Sequence, residues 1–331
     1  MKACVIGGGS WGSAVALHLG RKNIDTRLWI REKDIYEDIV RFRENKTFLP
    51  GAIYPSSVSF FHEMAGALLS TEIVFIAVPS KFCRDIYKKI QPHISSQHII
   101  VSLTKGIEDG TLKRMSEVMT EIFSPHCTAQ IAVLSGPSFA KEVAVAHPTA
   151  VVVASEDNAV AKEIQNLVSG SYLRAYTSED VLGVEIAGAL KNVVAIAAGI
   201  SDGLQFGDNS RAALITRGLA EITRLGITLG AKKETFAGLA GVGDLVLTCT
   251  GQLSRNHYVG YEIGQGKRME EVESHMKMVA EGITTTLSGH QLAQRENVEM
   301  PIHEQAYLVL YQNKDPRTAL QDLMARRLKD E

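Results

Sequence analysis

The sequence is poor in cysteine: its 331 residues contain four, at positions 4, 83, 127 and 249. They form no CxxC pair, and no histidine lies at metal-ligand spacing from them. Scattered cysteines of this kind are typical of reduced thiols in a cytosolic protein. We therefore expect no disulfide framework, no bound metal and a cytoplasmic location.

The sequence also lacks an excess of either charge, because 35 basic residues face 37 acidic ones and the formal net charge is -2. No global basic surface exists to hold nucleic acid, and we expect no nucleic-acid partner. Hydrophobic residues make up 45% and charged residues 22%, an ordinary globular composition. A chain of this length is too long for one core, so two domains are expected.

No long hydrophobic run is free of polar groups. The most apolar stretch, 181–200, contains Glu185, Lys191 and Asn192. Ionised groups in the middle of a membrane span are costly. This stretch is therefore predicted to be a buried helix of a soluble domain, and no membrane span is expected. The first residues resemble a strand and not a secretory signal.

The first half of the chain alternates short apolar runs with segments of helical periodicity. This alternation is typical of a doubly wound, mostly parallel sheet covered by helices on both faces. The predicted strands are 2–7, 26–30, 73–78, 99–103, 131–134 and 150–154, and the helical patterns include 10–20, 81–90 and 111–123.

From about residue 180 the pattern becomes helical throughout. We predict an α/β domain over 1–183 and an all-α domain over 184–331. The predicted helices of this half are 180–200, 210–229, 256–264, 269–276, 284–296, 302–312 and 316–328.

Gly7, Gly9 and Gly12 form a G-x-G-x-x-G pattern that follows the first strand and opens a helix. In this context the pattern predicts a Rossmann dinucleotide site, with the pyrophosphate at the helix start. A glycine-rich turn without a ligand is the alternative.

Arg31 follows the second predicted strand, where an NAD-specific domain usually carries Asp or Glu for the ribose 2′-hydroxyl. A guanidinium suits a 2′-phosphate, so NADP is favoured over NAD. Glu32, one position later, could instead bind the ribose 2′-hydroxyl of NAD, so NAD stays an alternative. Arg31 could instead be a solvated surface charge.

Lys191 lies inside the apolar helix, where it could act as a general acid/base or extend to the surface. Asp244 lies in a glycine-rich segment that we interpret as a flexible loop, where it could orient the lysine or simply favour a turn. Lys191, Asp244 and Lys105 are the catalytic candidates.

Ser254, Arg255 and Asn256 together offer groups that suit a phosphate, or alternatively a helix cap and an exposed arginine. Lys105 and the segment 136–139 each follow a predicted strand, the position at which open α/β sheets bind ligands.

Taken together, these residues resemble those of the bacterial NAD(P)-dependent glycerol-3-phosphate dehydrogenases. Matching segments occur in order over nearly the whole chain. They are GGGSWG at 7–12, FLPG at 48–51, AVPS at 77–80, TKG at 104–106, SGPSFA at 135–140, ALKN at 189–192, GLAGVGDLVLTC at 238–249, SRN at 254–256 and VAEG at 279–282.

The resemblance implies reversible reduction of dihydroxyacetone phosphate to sn-glycerol 3-phosphate, a phospholipid precursor, with Lys191 as proton acceptor in the oxidation direction. Phe48 departs from the tyrosine of many relatives. The implied substrate positions are Lys105, Gly136, Ser138, Lys191, Asp244, Ser254, Arg255 and Asn256. The implied cofactor positions are Ser10, Trp11, Arg31, Lys105, Ala140, Arg255, Val279 and Glu281.

Two other functions are compatible with the sequence. One is a different two-domain Rossmann dehydrogenase, of the hydroxyacid or 6-phosphogluconate type. The other is a non-catalytic dinucleotide sensor, although a sensor needs no acid/base such as Lys191. A homodimer is the expected assembly, as for many soluble enzymes.

Overall fold

The computed structural model describes residues 1–276 and 278–328. Within it the chain forms two compact units. The first unit comprises Met1–Lys105 and Arg114–Val184, and the second comprises Gly106–Lys113 and the chain from Glu185 onward.

The first unit contains an eight-stranded sheet in the order β3-β2-β1-β4-β5-β6-β7-β8. All neighbouring strands are parallel except β6 and β7. The chain winds outward from β1 in both directions, which confirms the predicted doubly wound fold. The strands are β1 Lys2–Ile6, β2 Asp25–Trp29, β3 Val58–Phe61, β4 Ile73–Ile76, β5 Ile99–Ser102, β6 Gln130–Ser135, β7 Thr149–Ala154 and β8 Leu173–Ser178.

The central strands are buried on both faces because their apolar side chains alternate between two hydrophobic clusters. Val5 and Phe75 belong to one cluster, whereas Ile6 and Val74 belong to the other. Helices cover both faces. They are α1 Ser10–Arg21, α2 Lys33–Phe42, α3 Met64–Leu68, α4 Ser80–Ile90, α5 Met115–Phe123, α6 Ala140–Ala144 and α7 Asn158–Val168.

The second unit is built from helices, as predicted. They are α8 Val181–Gly203, which begins in the first unit, α9 Gly207–Thr228, α10 Lys233–Ala237, a π-helical turn Leu239–Gly243, α11 Asp244–Thr250, α12 Arg255–Gly264, α13 Met269–His275, α14 Glu281–Arg295, α15 Pro301–Gln312 and α16 Pro316–Met324.

Helix α8 is long and apolar enough to cross a membrane by length and composition alone. However, 89% of its most apolar window is buried inside the protein. It therefore has the environment of a core helix, as its polar residues Glu185, Lys191 and Asn192 predicted.

Helices α8 and α12 touch through paired glycines. A Cβ atom at Gly199 would overlap the carbonyl oxygen of His257, and one at Gly260 would overlap the carbonyl oxygen of Ile196. Gly203 and Gly264 repeat this arrangement one turn further along. The backbones can approach this closely only because glycines occupy the points of closest contact on both helices.

Three local predictions were wrong. The helical pattern 111–123 begins only at Met115, and the helix predicted over 316–328 ends at Met324. Asp244 does not lie in a flexible loop, since it begins α11 directly after the π-helical turn. Gly241 allows that turn to pack on α10, because a Cβ there would overlap the carbonyl oxygen of Phe236.

The close crossing of α8 and α12 makes Gly199→Ala destabilising. The added methyl group would force the two backbones apart, and we expect a loss of about 3 kcal/mol in the free energy of unfolding, measured by urea denaturation. Gly170→Ala is the control, because its Cβ would make only ordinary contacts, the nearest at 3.5 Å. Equal stability of the two variants would contradict the packing described.

Candidate active site

The glycine turn after β1 has a backbone that other residues could not adopt. Gly7 has a φ of +121°, and a Cβ there would lie 2.5 Å from the carbonyl oxygen of Ala77. A Cβ at Gly12 would overlap the carbonyl oxygen of Gly7. The first and third glycines thus let strand and helix pack closely.

The start of α1 fits the pyrophosphate of a dinucleotide. A Cβ at Gly9 would meet no described atom within 4 Å, so space is open above the helix start. The first N–H groups of a helix lack intrahelical acceptors and carry the positive end of its dipole. The buried indole N–H of Trp11 has no hydrogen-bond partner within 1–276 and 278–328. The Ser10 hydroxyl donates to the carbonyl of Phe48 at 2.7 Å.

Arg31 lies just beyond β2, with its side chain 59% exposed. Its guanidinium donates to Oε1 of Glu32 through Nε at 2.8 Å and Nη2 at 2.5 Å. It also lies over the ring of Phe82, 5.3 Å from the centroid. The stacking holds a guanidinium open to solvent, a geometry suited to an anionic group.

Three more of the predicted ligand-binding residues lie close together beyond the ends of β5 and β6. Lys105 Nζ and Ser138 Oγ each donate to the carbonyl oxygen of Gly136, both at 2.9 Å. Gly136 has a φ of +123°, and a Cβ there would lie 3.1 Å from Cα of Val151. Ala140 begins α6. The neighbouring parallel strands bring these residues together, as their positions in the sequence predicted.

Lys191 and Asp244 form a buried ion pair in the second unit. Lys191 Nζ lies 3.0 Å from Oδ1 of Asp244, and the two residues are 5% and 1% exposed. The lysine therefore does not extend to the surface. A carboxylate this close stabilises the charged ammonium in the interior.

Thr248, which the sequence reasoning missed, completes this group. Its hydroxyl accepts a hydrogen bond from Lys191 Nζ at 2.5 Å and donates to the carbonyl oxygen of Asp244 at 2.6 Å. Thr248 follows Asp244 by one helical turn, so the spacing would have placed both on one face had α11 been predicted as a helix. Burial raises the pKa of the adjacent Cys249 to about 12, which keeps its thiol neutral.

The first turn of α12 carries the residues that the sequence predicts to bind a phosphate. Ser254 caps the helix by accepting from the His257 N–H at 3.2 Å. Asn256 is buried; it donates to Oδ1 of Asn192 at 2.8 Å and accepts from the Gly282 N–H at 2.9 Å. Within 1–276 and 278–328, these two bonds leave the second amide hydrogen of Asn256 unused.

Arg255 is exposed, whereas Ser254 and Asn256 on either side of it are buried. Its Nη1 donates to the carbonyl oxygen of Val279 at 2.8 Å, and Glu281 lies close by at the start of α14. The second unit thus brings together Arg255, Val279 and Glu281. Among the residues described, no group of three His, Cys, Asp or Glu side chains could hold a metal ion.

Known proteins match this chain over its whole length. Residues 2–161 match the family model of the NAD-dependent glycerol-3-phosphate dehydrogenase N-terminus, and residues 180–321 match that of its C-terminus. Glycerol-3-phosphate dehydrogenase [NAD(P)+] from Citrifermentans bemidjiense is 51% identical over 100% of this chain and 98% of the relative. The enzyme of the same name from Syntrophotalea carbinolica is 48% identical over 100% and 99%.

A crystal structure of glycerol-3-phosphate dehydrogenase from Coxiella burnetii has a TM-score of 0.94 to this chain at 38% identity. The match covers 98% of this chain and 99% of the other. The similarity therefore extends through both units.

Removing one partner of the buried pair should be costly. Asp244→Ala would leave the Lys191 ammonium without its carboxylate, and we expect a loss of about 3 to 5 kcal/mol in the free energy of unfolding at neutral pH. The control is Glu37→Ala, which breaks an exposed pair with Lys33 and should cost under about 0.5 kcal/mol. Urea denaturation measures both, and a loss below about 1 kcal/mol for Asp244→Ala would show that the pair is not buried as described.

Proposed function

The chain belongs to the NAD-dependent glycerol-3-phosphate dehydrogenase family, and we propose that it catalyses the reversible NAD(P)H-dependent reduction of dihydroxyacetone phosphate to sn-glycerol 3-phosphate. The observation that carries this proposal is the buried Lys191–Asp244 pair, a proton donor within a helical unit that also presents the exposed Arg255. The hydroxyacid, 6-phosphogluconate and sensor alternatives are not favoured, because full-length relatives at about half identity carry the glycerol-3-phosphate dehydrogenase name.

A bound nicotinamide would supply the hydride for the ketone carbon. Gly7, Gly9 and Gly12 would let the backbone approach the pyrophosphate, and the N–H groups of Ser10 and Trp11 would bind it. Either NADP or NAD serves as the cofactor. Arg31 favours NADP, because its exposed guanidinium can pair with a 2′-phosphate.

Lys191 acts on the carbonyl oxygen of the substrate. Negative charge develops on this oxygen as the carbon is reduced, and the ammonium stabilises it and then donates a proton. In the oxidation direction the neutral amine takes the proton from the hydroxyl. Since the charge exists only in the transition state, this interaction raises kcat.

Asp244 and Thr248 hold Lys191 in place. The carboxylate at 3.0 Å and the hydroxyl at 2.5 Å fix the position and direction of the amine. A fixed amine loses little entropy on reaching the transition state, which lowers the barrier.

The substrate phosphate would be bound mainly by Arg255 and by the N–H groups at the start of α12. An exposed guanidinium and a helix start together suit a dianion. Asn256 can donate its remaining amide hydrogen to the phosphate. The Ser254 hydroxyl can donate its hydrogen to the phosphate while its oxygen caps the helix. Lys105, Gly136, Ser138, Ala140, Val279 and Glu281 complete the proposed substrate and cofactor residues.

The product is the backbone of glycerophospholipids, so the reaction would supply phospholipid synthesis. We also propose that the enzyme acts in the cytoplasm as a homodimer. The free cysteines support this location, because thiols stay reduced in the cytosol.

The proposed function is tested by following NADPH and NADH absorbance after addition of dihydroxyacetone phosphate. We expect oxidation of both cofactors, faster with NADPH at low concentration. Tight cofactor binding without turnover of this substrate would favour the sensor alternative.

Lys191→Ala should reduce turnover of dihydroxyacetone phosphate by about 10²-fold or more, because the proton donor is lost. Cofactor binding, measured by NADPH fluorescence, should remain normal. Lys267→Ala, which removes an exposed lysine paired with Glu262, is the control and should keep full turnover. A folded Lys191→Ala variant with near-normal turnover would remove this residue from the mechanism.

Arg31→Ala should weaken NADPH binding about tenfold while changing NADH binding little, since a charged hydrogen bond to the 2′-phosphate is lost. Fluorescence titration gives both dissociation constants. Arg41→Ala, on the next helix, is the control. If the binding of NADPH and of NADH weakened equally, Arg31 would not be the residue that recognises the 2′-phosphate.

A further inference from the structure

Two polar side chains, each from a different helix, meet at a carboxylate on a third helix of the second unit. Oδ2 of Asp202, on α8, lies 2.7 Å from Nε2 of His257 on α12 and 2.9 Å from Nη1 of Arg211 on α9. Arg211 also pairs with Asp208 at the start of its own helix. We name Asp202, Arg211 and His257 the Asp202 cluster. The chemistry proposed above uses none of these residues.

The Asp202 cluster is mostly shielded from water, with side chains 15%, 29% and 19% exposed for Asp202, Arg211 and His257. A charged hydrogen bond in such a site is stronger than at the open surface. Ion pairs on fully exposed side chains contribute little by comparison. The cluster can therefore fix the helices from which it comes.

His257 lies where α8 and α12 cross. Its carbonyl oxygen faces Gly199, and its side chain reaches Asp202 on the same helix α8. The preceding residue, Asn256, is bonded to Asn192, also on α8. Two successive residues of the first turn of α12 are thus tied to the helix that carries Lys191.

Arg255, the proposed phosphate anchor, immediately precedes these two residues. A small rotation of the first turn would move its guanidinium and the helix-start N–H groups relative to Lys191. Misplacement of binding groups by about 1 Å can cost much of their benefit.

We propose that the Asp202 cluster is a set of positioning residues that aligns the first turn of α12 for the substrate phosphate. This inference rests on the proposed function. The His257 imidazole donates from Nε2 to Asp202, and Arg211 holds the carboxylate from the other side. The cluster does not contact the reacting atoms, so it affects substrate affinity and not the chemical step.

The test compares His257→Ala with His257→Gln, since the glutamine amide can still donate to Asp202. His257→Ala should raise the KM for dihydroxyacetone phosphate about tenfold with kcat within about twofold, and His257→Gln should restore most of the affinity. The NADPH dissociation constant, measured by fluorescence, should change much less than KM, because most of the proposed cofactor residues lie outside α12. Glu262→Gln, which breaks the ion pair of Glu262 with Lys267 further along α12, is the control and should leave KM unchanged.

Asp202→Leu removes the shared acceptor on α8 and keeps a similar side-chain volume. It tests the same bond if His257→Ala fails to fold, and it should also raise KM selectively. Unchanged KM in the His257 and Asp202 variants would overturn the inference. A parallel loss of kcat, NADPH affinity and thermal stability, without rescue by glutamine, would also overturn it, because the role would be structural. A wild-type enzyme that binds NADPH but does not reduce dihydroxyacetone phosphate would overturn the proposed function and the inference with it.

Discussion

A lysine ammonium is tolerated in a protein interior only when a carboxylate and hydrogen bonds replace the water that it loses. In this chain Asp244 and Thr248 meet that requirement for Lys191. The same pair that makes burial possible also fixes the amine and keeps a proton at a defined position. Stability and the proposed chemistry therefore depend on one interaction.

Close backbone contacts at glycines shape the sites of both units. In the second unit Gly199 and Gly260 bring α8 and α12 into backbone contact, which lets Asn192 reach Asn256. In the first unit Gly7 allows the tight turn that opens α1. Each position lacks room for a methyl group, so sites in both units depend on backbone approach as well as on side-chain chemistry.

The fold was largely predictable because buried, β-branched runs form the central strands. The sequence reading missed β3 and β8, the two edge strands, which are partly exposed and have a weaker apolar pattern. The glycines before Asp244 led to the prediction of a loop, although Gly241 serves close packing. Residue type singled out Lys191 and Asp244, but their contact depends on tertiary packing that spacing in the sequence does not encode.

A double-mutant cycle on kcat/KM for dihydroxyacetone phosphate tests most directly whether Lys191 and Asp244 act as one unit. Lys191→Met, Asp244→Asn and the combined variant keep similar volumes and remove each charge in turn. We predict that the combined variant is slower than Lys191→Met by no more than about threefold, because the carboxylate acts through the amine. Losses that simply multiply would show that the two residues act independently and would contradict this account.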